Sequence, residues 1–98
     1  MVEFIKPGEI NGYQKEYAEH ILNEVIMCLL VKEWKPFKAM AVVSLLDVVK
    51  LLEREGFNPF VFSWGEKILQ SLLDEYVDGG WGIERYGNIF HFYGKGDV

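Results

Sequence analysis

Threonine does not occur in this chain, cysteine occurs once, and no apolar run is longer than the seven residues from Val25 to Val31. Each scarcity excludes something. A helix that crosses a bilayer needs about 20 consecutive apolar residues, so no such span is expected. The lone cysteine, Cys28, has no intrachain partner, which argues against a disulfide framework and fits a reducing compartment. Its place inside the apolar run predicts a buried structural thiol, not a nucleophile. Residues Met1 to Gly8 lack the basic region and long apolar stretch of a secretory signal, and a cytoplasmic location is expected. Basic side chains are outnumbered, with 10 Lys and Arg against 15 Asp and Glu for a net charge of −5. Non-specific nucleic-acid affinity comes from Lys and Arg displacing counterions, so this balance disfavours DNA as a partner. Glu and Lys dominate the charged set while Asn and Gln are few, a bias of thermophilic proteins.

What is present is apolar and aromatic. Half of the 98 residues are apolar and 15% are aromatic, enough to bury one core and offset the ordering entropy of a single domain spanning 1–98. Residues 1–12 read as an extended arm punctuated by Pro7, Gly8 and Gly12, with Asn11 as N-cap of a helix over 13–33. On that helix Tyr17, Ala18, Ile21, Leu22, Val25, Ile26 and Leu29 share one side. Met27, Leu30 and Val31 fall on the other, where another element of the same chain or a dimer partner must cover them. Residues 36–55 hold a strand or helix followed by helix. Phe37 to Val43 fits either a short strand or the start of a long helix, so the second helix begins at Pro36 or at Ser44. Ser44-Leu45-Leu46-Asp47 has the form of a capping box and Gly56 supplies a helix stop. A third helix is expected over 63–78 with Ser63 as N-cap and a clean division between apolar and acidic faces. Gly79-Gly80 ends it, and 81–93 reads as a β-hairpin turning at Gly87-Asn88, with Tyr86 facing Ile89, Glu84 facing His91 and Ile83 facing Phe92. The fold class is α+β, a three-helix core with a C-terminal β-hairpin.

The capped helix from Ser44-Leu45-Leu46-Asp47-Val48-Val49-Lys50-Leu51-Leu52-Glu53-Arg54-Glu55 to Gly56 looks like the first helix of a helix-turn-helix. The passage Leu72 to Asn88, from third helix through Gly79-Gly80 into the hairpin, is similar to a recognition helix leading into a wing. In element order residues 13–93 resemble winged-helix domains, which implies a hairpin wing and either DNA recognition or protein interaction. Two features depart from the DNA-binding pattern. The Gly56 to Ser63 connection exceeds the usual three or four residues between paired helices. The polar face of the third helix carries Glu66, Asp74, Glu75 and Asp78 against Lys67 alone, and would repel the phosphates that must position a DNA reader.

No residue pattern predicts catalysis, metal binding or a cofactor. Gly79, Gly80, Gly82 and Gly87 follow a helix instead of opening one, and no Gly-Lys-Ser/Thr occurs. His20 lies between Glu16 and Glu24 at helical spacing, a surface trio. His91 opposite Glu84 is explained as a cross-strand pair, since acid/base chemistry also needs a cleft. Tyr86, His91 and Tyr93 on the outer hairpin face could stack on single-stranded bases, but only Arg85 and Lys95 are near to bind phosphate. The expected role is therefore a small non-enzymatic protein-interaction or scaffolding domain, homodimeric through Met27, Leu30 and Val31. Phe57, Phe60, Phe62 and Trp64, four rings in eight residues, anchor a loop on the core or form a docking surface for another protein. The alternative is a winged-helix transcriptional regulator contacting DNA through Lys35, Lys38, Lys50, Arg54 and Arg85. Segment 34–56 has four basic and three acidic residues, so that surface is weak unless dimerisation concentrates it.

Overall fold

The computed structural model describes residues 3–94; the part of the expected arm at residues 1 and 2 lies outside them. In chain order they form α1 (Ile10–Glu33), β1 (Met40–Ser44), α2 (Leu45–Arg54), α3 (Gly65–Asp78), β2 (Trp81–Tyr86) and β3 (Ile89–Gly94). Three helices pack on a three-stranded antiparallel sheet of order β1-β3-β2, an α+β fold whose layout is compatible with a winged-helix-like arrangement.

The first helix starts at Ile10, three residues before the expected Tyr13, and the arm is not wholly extended. Pro7 sets φ for a single 3-10 turn, Pro7–Glu9, whose carbonyls accept the next amides and feed straight into α1. Asn11 is thus a helical residue and not the cap. At the other end Trp34 is extended (φ −62°, ψ 129°) and ends the helix, and Pro36 disfavours helix in the next residue, Lys35. A tight turn follows, closed by the Lys35–Met40 bridge, with Ala39 in the left-handed region at φ 49°.

The open choice over 37–43 resolves to a strand over Met40–Ser44, with the second helix beginning after Ser44. Alternate residues Ala41 and Val43 turn inward, the period of two that a half-buried strand requires. Ser44 ends the strand opposite Ile89 and also caps α2, its Oγ accepting the Leu46 amide at 3.2 Å. The Leu45 amide meanwhile donates to Asn88 O at 2.7 Å, tying the helix start to the hairpin turn. Gly56, at φ 81°, closes α2 as a Schellman motif: its amide donates to Glu53 O and the Phe57 amide to Leu52 O.

The expected cap at Ser63 is not the start of the third helix. A 3-10 turn at Pro59–Val61, capped by Asn58, intervenes, and α3 begins two residues later at Gly65. Gly65 is buried, and a Cβ there would overlap the Pro59 carbonyl, so helix and turn meet backbone to backbone.

The hairpin has the expected register, Tyr86 with Ile89, Glu84 with His91, Ile83 with Phe92, and β3 runs one residue further to pair Trp81 with Gly94. Gly87 has φ 62° while Asn88 does not enter the positive region, which makes the turn type II′. Phe90 and Phe92 face inward from the central strand and join the core cluster that also holds Leu22, Ile26, Val48, Leu52 and Leu69.

Candidate interaction surface

The helices cover one face of the sheet, and what they leave open is the ground on which any site must stand. Of the three residues expected at a dimer contact, Leu30 is 6% exposed and belongs to the core, whereas Met27 and Val31 are 53% and 81% exposed. The helix turn explains the split: Leu30 leans toward the side of Ile26, while Met27 and Val31 lie a full turn apart on the outer side. Those two residues form one wall of an apolar groove of about 890 Å³. Its other wall comes from Tyr76 at the end of α3, from Trp81 at the start of β2, and from Gly79-Gly80 between them.

Aromatic packing holds this groove open. Trp34 meets Trp81 edge to face at 5.8 Å, and Trp81 and Tyr76 each meet Phe92 edge to face at 6.0 Å. Gly94 opposite Trp81 seats the Trp34 indole, since a Cβ there would lie 3.0 Å from its ring. Tyr76 donates its hydroxyl to Asn23 Oδ1 at 2.6 Å, fixing α3 to α1 at the groove's inner end, and partial burial raises its pKa. Sequence reasoning missed Trp34, Tyr76, Trp81 and Gly94 as partners of Met27 and Val31. The spacing 27, 31, 34 is helical and carries the signal for Trp34; Trp81 and Gly94 arrive through strand pairing, which no local pattern reveals.

Three of the four rings of the α2–α3 connection are stacked. Phe62 lies parallel to Trp64 at 4.8 Å and on Phe57 at 6.1 Å, while Tyr17 of α1 meets Phe57 edge to face at 5.4 Å. Phe57 and Phe60 pack against the core cluster, and Phe62 is the exposed member. Lys15 lies 6.0 Å above the Trp64 ring. The group therefore joins the long connection to the first half of α1.

The five basic residues considered for DNA are not brought together. Lys35 and Lys38 sit in the α1–β1 turn, at the Met40 end of the sheet, and Arg85 sits beside the hairpin turn at its other end. Lys50 and Arg54 occupy the exposed side of α2. The Arg85 guanidinium is engaged, pairing with Glu66 on α3, donating to Gly87 O at 3.0 Å and covering the Phe90 ring at 5.0 Å.

On the outer sheet face Val42, His91 and Glu84 lie in one cross-strand row. Tyr93 Oη approaches His91 Nδ1 at 3.4 Å, and Tyr86 meets the imidazole edge to face at 5.1 Å. The Glu84 carboxylate raises the pKa of both tyrosines, by charge first at Tyr86 and by hydrogen bonding first at Tyr93.

On α1, His20 Nε2 contacts Glu24 Oε1 at 3.1 Å, both well exposed. Cys28 is exposed, contrary to the expectation of a buried thiol: the helix inside its apolar run buries Val25, Ile26, Leu29 and Leu30 and turns residue 28 outward. Among the described residues no group of three His, Cys, Asp or Glu is placed to hold a metal, and no helix is long and apolar enough to cross a membrane. No protein-family model, curated protein or solved structure matches this chain.

Proposed function

We propose that the chain is a winged-helix-like, non-enzymatic interaction domain that acts as a homodimer, with the open end of α1 and its groove as the contact surface. The observation that carries this reading is the groove itself: Met27 and Val31 stand exposed beside Trp34 and Trp81, an arrangement costly to leave in water. The winged-helix part rests on the order α1-β1-α2-α3-β2-β3 and on a central β3 flanked by β1 and β2. DNA recognition has less support, because Arg85 is spent on Glu66 and the rest of the acidic α3 face offers phosphates little.

Sedimentation equilibrium of the full chain tests the proposal. A monomer–dimer equilibrium at micromolar concentration is expected; a monomer at several hundred micromolar refutes it. A gel-shift titration with duplex DNA at about 50 mM salt accompanies it. Salt-sensitive binding there would replace protein interaction by DNA binding as the domain's role.

A further inference from the structure

The outer side of α1 carries a pattern that extends well beyond the groove. From Ile10 to Trp34 the positions on this side follow one another at alternating steps of three and four residues, the spacing of a coiled-coil seam. The seam lies away from the side that buries Ala18, Leu22, Val25 and Leu29, and its members stay partly or largely exposed, although Tyr17 touches Phe57 and Trp34 touches Trp81 at its edges. Its first turns project. The two turns before Ala18 contain no buried residue, and Ile10, Tyr13 and Tyr17 are about half exposed.

The seam is also self-complementary. Reversed about residue 22, it places Ile10 on Trp34, Tyr13 on Val31, Tyr17 on Met27 and His20 on Glu24. Every apolar member meets an apolar member, and the only two polar members meet each other. In heptad terms each pair joins an a to a d position, the layer type that forms when two helices run antiparallel; a parallel pair would set His20 on His20 and Glu24 on Glu24.

We infer that two copies of the chain associate through antiparallel α1 helices about a two-fold axis at Leu22, with the projecting Ile10 and Tyr13 of each copy, and the open side of Tyr17, entering the groove of the other. This assignment rests on the self-association proposed above and specifies its register. A closed two-fold contact requires one surface to be its own partner, which the pairing satisfies. The His20–Glu24 contact seen within one helix has a second partner of the same chemistry across the axis. Glu16 and Glu19 of α1 and Glu75 of α3 share the hollow beside His20, so the surround of the imidazole is acidic. A helix of 24 residues gives a contact about 36 Å long, small for a specific interface, so micromolar affinity is expected.

Spin labels measure the register directly. Cys28 is exposed and solitary, so the native chain takes one label. With about 1.5 Å of rise per residue, the axis at Leu22 separates the two Cys28 positions by about 18 Å along the helices. A label at Lys32→Cys in a Cys28→Ser background should lie about 30 Å from its mate. Pulsed-EPR distances near 20 and 30 Å, increasing in that order, are expected. Two short distances near 10 Å would mean parallel helices, overturning the inference while leaving the homodimer standing. A dimer in the ultracentrifuge with neither pattern places the interface elsewhere and also overturns it. A monomer removes both readings together.

Discussion

Val31→Glu separates folding from association more sharply than any other single change. In the isolated fold Val31 is 81% exposed, so the substitution should alter monomer stability by no more than about 0.5 kcal/mol. In the dimer each Val31 is covered by the partner copy's Tyr13, and by symmetry the change is made twice. Losing valine burial removes about 1.5 kcal/mol per site, and withdrawing a carboxylate from water beside an apolar wall costs at least about 1 kcal/mol more. Together the two sites weaken association by about 5 kcal/mol, a rise in Kd of several thousandfold. Sedimentation equilibrium over a wide concentration range reads the Kd, and thermal unfolding at a concentration where the wild type is monomeric reads the fold. Equal Kd values for variant and wild type would refute the reasoning. A large fall in monomer Tm would also refute it, since Val31 would then be part of the core.

Other expectations concern the fold that presents this surface. Gly65→Ala drives a Cβ into the Pro59 carbonyl and should destabilise by about 2 to 4 kcal/mol, measured by urea unfolding; a neutral result would mean that the α3 start is not held against that turn. Ala39→Gly relieves the φ of 49° and should be neutral or stabilising by up to about 1 kcal/mol, whereas Gly at the buried strand position Ala41 should destabilise. Tyr76, Tyr86 and Tyr93 have raised pKa values, so the unfolded chain loses these protons first as pH rises. Their stabilising contribution is complete below pH 10 and declines above it; Tm should fall on the alkaline side, and Tyr76→Phe should lessen that fall. An alkaline spectrophotometric titration showing all five tyrosines ionising near pH 10 would contradict this.

The features legible in the sequence are those fixed by short-range chemistry. The hairpin register follows from a two-residue Gly-Asn loop and the alternation of Trp81, Ile83, Phe90 and Phe92. Ser44 and Gly56 mark α2 because capping is local. Asn11 and Ser63 are capping residues too, yet neither caps a helix here: Pro7 and Pro59 open 3-10 turns that deliver the chain to the helix by another route. The strand at 40–44 was ambiguous because its apolar residues suit either period until β3 supplies the partner. The groove was half visible. Met27 and Val31 break the polar side of α1 and so stand out in the sequence, while Leu30 serves the core and is indistinguishable from them by composition. The exposure of Cys28 is hidden in the sequence for the same reason, as an apolar run on a helix faces every direction.

The antiparallel self-pairing of α1 is the central claim, and a charge exchange within the seam tests it most directly. His20→Glu sets like charges opposite each other twice across the axis and should weaken the dimer by about tenfold. Adding Glu24→Lys restores an opposite-charge pair both within the helix and across the antiparallel contact, so sedimentation equilibrium should return the Kd to near the wild-type value. In a parallel dimer the double variant would face Glu with Glu and Lys with Lys. A double variant that associates no better than His20→Glu alone contradicts the account.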